Sequence, residues 1–148
     1  MENLFASSVT EKIINRIGKL DAGIAPLWGK MNVSQMLAHC SVPIGASLGD
    51  QQLKRSFIGY LFGSMAKKSL LKDKPFPKNL PTDKSFVISG QMEFEIERQK
   101  LVAVIHRFAA ANSASFSHVH PFFGKMHADE WGILTYKHLD HHLQQFGV

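Results

Sequence analysis

Apolar residues recur at intervals of three or four positions in several stretches of the chain, which is the spacing of one face of an α-helix. The first such helix is predicted to begin near Ser8, because Ser8 and Glu11 have the spacing of a capping box. It is predicted to end near Asp21. Its apolar positions are Ile13, Ile14, Ile17 and Leu20. A connection that contains Pro26 and Gly29 is expected to follow, because both residues interrupt helices.

A second helix is predicted over residues 32–48, with Asn32 as a favourable N-cap. Pro43 falls inside this stretch and lacks the amide hydrogen that a helix interior needs. We therefore expect Pro43 either to kink the second helix or to shorten it.

Three further helices are predicted over residues 54–71, 91–111 and 128–146, and the first of them is the shortest. The proline-rich residues 72–84 are expected to form a structured loop, and no convincing strand-like alternation occurs. These elements predict an all-α fold, a four-helix bundle with one extra short crossing helix. The length of 148 residues and the 45% of hydrophobic residues suit a single domain that spans 1–148.

The cysteine content and the lack of long apolar runs bear on location. Cys40 is the only cysteine, which excludes an intramolecular disulfide and suits a reducing compartment. No run approaches the ~20 apolar residues of a membrane span, and the N-terminal residues do not have the pattern of a signal peptide. The sequence therefore predicts a cytoplasmic protein that has no membrane partner.

The net charge of +5 arises in one region, which we call the basic segment, residues 54–84. It carries Lys54, Arg55, Lys67, Lys68, Lys72, Lys74, Lys78 and Lys84 against Asp73 and Asp83. Such a surface can attract nucleic acid, anionic lipid or an acidic small molecule. The interleaved arginines and aromatic residues of nucleic-acid grooves are missing, so a solvated surface is favoured and nucleic acid is not expected as a partner.

The basic segment also contains an apolar patch, which consists of Phe57, Ile58, Leu61, Phe62 and Met65. Apolar surface of this kind is disfavoured when it is left uncovered on a monomer. We expect the apolar patch either to cap the mouth of a pocket or to form the contact of a homodimer.

Histidines are concentrated near the end of the chain, where three of the eight fall within residues 138–142. On a helix, His138 and His142 are one turn apart and project from the same face. This spacing lets two imidazoles reach one metal ion. His39 is the best third candidate, because its helix face also carries polar and apolar residues suited to a pocket, among them Gln35.

Each of these histidines has a simpler alternative role. His39 alone would suit a hydrogen-bonded core position, and the terminal cluster would suit an exposed helix without a ligand. His141 is turned about 60° from His138 on the helix, which suits a group that faces substrate or supports the ligands better than a ligand. Glu-x-x-His, His-Glu-x-x-His, phosphate-loop and nucleophile-elbow motifs are all absent from the sequence.

The order of these parts resembles the DinB-like and YfiT-like metal-binding four-helix proteins, and within them a branch whose reaction is not established. The resemblance covers nearly the whole chain, with residues 50–90 weakly matched. It rests on the motifs Trp28-Gly29-Lys30-Met31, Gln35-Met36-Leu37-Ala38-His39-Cys40, His120-Pro121-Phe122-Phe123-Gly124, Glu130-Trp131 and His138-Leu139-Asp140-His141-His142-Leu143-Gln144-Gln145-Phe146.

The resemblance implies an up-down-down-up bundle in which a divalent metal ion is bound by His39 from the second helix and by His138 and His142 from the last. It also implies activities such as thiol transfer or isomerisation. His127 stands where the branch usually has a Ser or Thr cap. The family supplies no catalytic base, so the catalytic residues stay unassigned.

The function expected from the sequence is therefore that of a metal-dependent thiol S-transferase with zinc or nickel as its ion. Its substrates would be small molecules, including a low-molecular-weight thiol. A hydrolase that uses a metal-bound water on the same site is an alternative. A non-enzymatic protein, with a closed metal site and a partner surface around the basic segment, is another.

Overall fold

The computed structural model describes residues 1–51, 57–72, 74–79, 86–116 and 119–148. Within these ranges the chain forms the α-helices α1 (Ser7–Ile17), α2 (Val33–Ser47), α3 (Phe57–Leu70), α4 (Phe94–Ala110) and α5 (Ala128–Gln145), and a short 3-10 helix, Ser113–Phe116. The described residues contain no β-strand, and their one β-bridge, between His120 and Gly124, is isolated. The all-helical prediction is confirmed.

Helix α2 begins as its sequence predicts. The side chain of Asn32 accepts the amide of Gln35 at 2.8 Å, and the side chain of Gln35 accepts the amide of Asn32 at 3.1 Å. This reciprocal cap satisfies two amides that a helix start leaves without partners. The helix then continues past Pro43 to Ser47, so Pro43 does not shorten it.

Helix α1 differs from its prediction at both ends. Its N-cap is Ala6, without a side-chain hydrogen bond, so the capping box expected of Ser8 and Glu11 is wrong. The start of α1 is instead stabilised by a contact with the residues that precede it, because the Thr10 hydroxyl donates to the Leu4 carbonyl at 2.6 Å. The helix ends at Ile17 rather than near Asp21, and turn hydrogen bonds continue from Gly18 to Leu20.

Helices α1, α2, α4 and α5 form a ring in which α1 contacts α4 and α5, and α2 contacts the same two helices. Hydrogen bonds and ring contacts between their ends give the directions. Helices α1 and α5 are parallel, because the Leu4 amide donates to the Gly132 carbonyl while Arg16 pairs with Asp140 near the other end. The start of α2 instead lies at the end of α5, where Gln145 donates to the Trp28 carbonyl, so α2 and α5 are antiparallel.

Helix α4 runs in the same direction as α2. Gln35 near the start of α2 donates to the Gly90 carbonyl just before α4, and Asp50 after α2 pairs with Arg107 in the last turn of α4. Phe5, which precedes α1, stacks on Phe108 near the end of α4, so α1 and α4 are antiparallel. The bundle therefore has the up-down-down-up order.

Helix α3 belongs to none of these pairs and lies outside the bundle, against the turn at residues 121–123. Gly59 and Gly63 permit the approach, because a Cβ at either position would lie within 2.6 Å of Phe122 backbone atoms. Lys67 adds an ion pair of 3.0 Å with Glu130 of α5. The part of the predicted 54–71 helix that precedes Phe57, and Lys54, Arg55, Asp73, Asp83 and Lys84 of the basic segment, lie outside the described residues.

The interior of the ring is mainly apolar, and none of the α3 side chains that the structure describes is among its largest members. The largest side chains with less than 2% exposure are Phe108, Phe146, Leu4, Ile13, Ile17, Met36, Leu37, Ile44, Leu101, Ile105, Leu139 and Leu143. None of the described helices combines the length and the apolar character needed to cross a membrane.

We expect the apolar patch on α3 to mediate dimerisation. Phe57, Leu61, Phe62 and Met65 are each more than half exposed, and none of them lines the cleft described below. Light scattering should give the mass of two chains for the wild type and of one chain for Phe62→Glu, because a buried carboxylate at the contact lacks a partner. A monomeric wild type would contradict the dimer.

Candidate metal centre

Three histidines from two adjacent helices meet between α2 and α5. His39 comes from the middle of α2, while His138 and His142 are one turn apart on α5. One ring nitrogen of each residue lies within 4.8 Å of the other two. The Nε2 atoms of His39 and His138 are 3.1 Å apart. The fold therefore brings together the three histidines that the sequence suggested, although His39 and His138 are 99 residues apart in the chain.

The ring of His39 is held from the side opposite to this meeting point. Its Nδ1 lies 2.8 Å from the Phe86 carbonyl oxygen. A carbonyl oxygen only accepts, so Nδ1 carries the proton and donates, and Nε2 presents a lone pair. A backbone contact thus fixes both the tautomer and the direction of the His39 ring.

The ring of His142 is held in the same manner by a side chain. Its Nδ1 lies 2.8 Å from Oε1 of Gln145, and Nε2 of Gln145 donates to the Trp28 carbonyl at 2.6 Å. The amide orientation follows from the Trp28 contact, so Oε1 faces His142 and Nδ1 donates to it. The second lone pair of the site is therefore on Nε2 of His142.

A glycine makes this arrangement possible. Gly29 has a φ of +82°, and a Cβ at that position would lie 2.6 Å from Nε2 of Gln145. The Leu27 amide also donates to the Gln145 backbone carbonyl at 2.7 Å. The connection before α2 is therefore fastened to the last turn of α5, directly behind His142.

His138 is the third member of the group, and the protonation of its Nε2 determines whether the group can bind a cation. Its Nε2 faces the lone pair on Nε2 of His39, and two lone pairs at 3.1 Å repel one another. Either His138 donates a proton from Nε2 or a cation lies at the meeting point and all three rings offer lone pairs. Two ligand nitrogens on one tetrahedral zinc are ~3.4 Å apart, as Zn–N distances of 2.0 to 2.1 Å require.

Electrostatics favour the neutral imidazoles that metal ligation requires. Burial lowers the pKa of His142 to about 3, with the nearby His39 adding to the effect. Burial also lowers the pKa of His138 well below its usual value, and the rings of His142 and His39 lower it further. The pKa of His39 is lowered by burial and raised in part by the Phe86 contact. The donor set therefore fits a divalent metal ion.

No cysteine or carboxylate among the described residues joins the three histidines as a fourth member of the group. A three-histidine set leaves a coordination position for water or substrate, whereas structural zinc sites have four protein ligands. His118 lies outside the described residues. Within the described part of the chain, the site has the composition of an open one.

The other predicted site residues, His141 and Gln35, lie outside the group of three histidines. The His141 ring is half-buried, 5.1 Å from the His142 ring and 5.7 Å from the Trp28 ring. Both polar atoms of the Gln35 side chain have partners at the start of α2, because Oε1 accepts the Asn32 amide and Nε2 donates to the Gly90 carbonyl. Cys40 is buried, and burial raises the pKa of its thiol, which suits a small core residue.

Sequence reasoning missed the groups that orient the ligands. Gln145 follows His142 by three residues on α5, and this spacing is the signal that could have assigned its role. No local pattern marks the Phe86 carbonyl. His120 is buried and accepts the amides of Phe122 and Phe123 at 3.1 Å, so the His-Pro-Phe-Phe-Gly motif shapes the turn that α3 contacts.

The lowered pKa values predict that acid destabilises the metal-free protein. Between pH 6.5 and 3 the unfolded chain binds the proton that folded His142 refuses, so the free energy of unfolding decreases as the pH is lowered. His142 alone accounts for a loss of about 3 kcal/mol between pH 7 and 4.5. Urea unfolding of the wild type and of His142→Asn should show a smaller loss in the variant.

The control for this experiment is His106→Gln, a substitution of an exposed histidine on α4, which should follow the wild-type curve. Equal losses in His142→Asn and the wild type would contradict the assignment of His142 as a buried, neutral imidazole.

The family to which the chain belongs was identified by comparison with known proteins. A family model described as "Protein of unknown function (DUF1569)" matches residues 4–147. No curated protein and no solved structure matches the chain. Because the match extends over nearly the whole sequence, this chain is a member of the DUF1569 family.

Proposed function

We propose that the protein binds a divalent metal ion, zinc or nickel, through Nε2 of His39, His138 and His142. We further propose that it uses this ion to transfer a low-molecular-weight thiol to an electrophilic small molecule. The observation that carries the proposal is the convergence of three imidazoles, two of which have Nδ1 occupied by an acceptor and therefore offer Nε2. Such outer contacts are the usual accompaniment of metal-binding histidines.

The resemblance to the DinB-like superfamily supports the same proposal. That resemblance implies one ligand from the second helix and two from the last, in an up-down-down-up bundle. The observed directions of the helices and the positions of the three histidines agree with it. We propose on this ground that the DUF1569 chain is related to that superfamily.

A divalent ion bound by His39, His138 and His142 would supply an open position at which a thiol could bind as its thiolate or an electrophile could be polarised. The chain's own residues contribute the three neutral lone pairs and the apolar surroundings. A thiol bound there as its thiolate would have to release its proton, and His141, whose ring centroid lies 5.1 Å from that of His142, would be a neighbouring imidazole that could accept it. Burial lowers the pKa of His141, so its imidazole is neutral at pH 7. Cys40 cannot serve as the nucleophile, because its thiol is buried and its pKa is raised.

Metal binding should depend on the three ligands far more than on surface histidines. His39→Ala, His138→Ala and His142→Ala each remove one of three protein ligands, so we expect zinc affinity to fall more than 100-fold by calorimetric titration. Gln145→Leu removes the acceptor behind His142 and should weaken binding about 10- to 100-fold. His106→Ala, at an exposed position, should match the wild type.

His141→Ala is the sharper control, since His141 is adjacent to a proposed ligand but is not one. We expect it to bind zinc with nearly wild-type affinity. Equal affinities for all of these variants would show that the ion binds elsewhere. The protein should be purified without an affinity histidine tag, so that elemental analysis reports its own metal.

The transferase proposal predicts metal-dependent conjugation of a thiol. The zinc- or nickel-loaded protein should consume small thiols in the presence of 1-chloro-2,4-dinitrobenzene faster than the uncatalysed reaction. The excess rate should vanish with a chelator and in His142→Ala. Hydrolysis of p-nitrophenyl acetate without thiol transfer would favour the hydrolase alternative. A loaded protein that catalyses neither reaction would favour a non-enzymatic metal-binding role.

A further inference from the structure

A separate cleft of about 380 Å³ opens beside the histidine site. It is lined by Met1 and Glu2, by Trp28, by Lys74, Pro75, Phe76 and Lys78 of the loop after α3, and by the face of α5 from Tyr136 to Gln144. Its volume lies in the range of roughly 300 to 1,000 Å³ that is usual for small-molecule sites. His39, His138 and His142 are not among its lining residues, so the cleft is distinct from the metal centre.

Flat rings form much of the cleft wall. The His141 ring lies between Trp28 and Phe76, with ring centroids 5.7 Å and 6.0 Å away. Tyr136 precedes His141 by five residues on the same helix and also lines the cleft. Surfaces of this kind bind planar apolar groups by stacking and by edge contacts.

Two lysines of the cleft have their ammonium groups over these rings. Nζ of Lys78 is 4.2 Å from the centroid of the Trp28 ring, and Nζ of Lys137 is 5.2 Å from that of Phe76. Lys74 lines the cleft as well. Ammonium groups are therefore held at the edge of an aromatic wall.

The two carboxylates that line the cleft, Glu2 and Asp140, have partners outside it. Glu2 pairs with Lys12 at 3.0 Å, and Asp140 pairs with Arg16 at 2.7 Å. Lys12 and Arg16 are not lining residues. No ion pair among the described residues includes Lys74 or Lys78. The cleft thus carries net positive charge beside planar apolar walls.

We infer that this cleft binds a small molecule that joins an anionic group, a carboxylate or a phosphate, to a planar apolar body. The anion would lie near Lys74 and Lys78, and the planar body would contact Trp28, Phe76 and His141. This assignment gives part of the basic segment a specific ligand, where the sequence alone favoured a solvated surface. It goes beyond the metal-dependent reaction and does not require the metal.

Benzoate and phenyl phosphate are suitable probes, with benzyl alcohol as the neutral counterpart. Each is titrated into ¹⁵N-labelled, metal-free protein from which the chelator has been removed, and the indole N–H signals are followed. The signal of Trp28 should shift and saturate with both anions, but not with benzyl alcohol at the same concentrations. Trp131, buried at 4% exposure and outside the cleft, should stay unshifted as an internal control.

Charge reversal tests the role of the lysines. Lys78→Glu should weaken benzoate binding about tenfold or more, since it replaces an attraction by a repulsion at close range. Lys125→Glu makes the same change of net charge at an exposed position outside the cleft and should leave benzoate affinity unchanged. Equal effects of the two substitutions, equal affinity for benzyl alcohol, or an unmoved Trp28 signal would overturn the inference.

His39→Ala separates this inference from the metal proposal. The variant should lose zinc affinity but still bind benzoate, because His39 does not line the cleft. Loss of benzoate binding in His39→Ala, under conditions where the variant remains folded by circular dichroism, would contradict a site that is independent of the metal centre.

Discussion

Three imidazoles share one small volume between α2 and α5, and much of the surrounding structure serves to keep them there. Each ring is polar, and each is placed where burial opposes a positive charge. Such a group is costly unless its hydrogen-bonding atoms have partners. Phe86 and Gln145 provide acceptors for Nδ1 of His39 and of His142. The Nε2 atoms that face one another are then stabilised either by a shared proton or by a bound cation.

The connections between helices matter to this site as much as the helices themselves. The residues around Trp28 hold Gln145 by a side-chain and a backbone hydrogen bond, and Gly29 provides the space. The residues before α4 bring the Phe86 carbonyl to His39. An inserted side chain in either connection would therefore alter the direction of a ligand without touching the ligand itself.

The sequence predicted the helices and the three histidines because both have periodic signatures. His138 and His142 follow from helix geometry alone, and Asn32 with Gln35 begins α2 by local chemistry. The errors arose where contacts beyond the local motif decide the structure. Ser8 has the sequence of a cap, but the Thr10 hydroxyl and Leu4 carbonyl start the helix earlier. The Phe86 contact could not be predicted, because a backbone carbonyl has no residue-type signal. The single-domain extent and the cytoplasmic location remain predictions.

The parallel pairing of the first and last helices, α1 and α5, has a kinetic consequence. Arg16 and Asp140 are 124 residues apart in the chain, so α1 obtains this partner only after nearly all of the sequence is available. Helical proteins usually fold fast because their contacts are local, and contacts between distant residues slow folding through the entropy of loop closure. This order of helices therefore predicts slower folding than an up-and-down bundle of equal length, with closure of α5 against α1 and α2 as a late step.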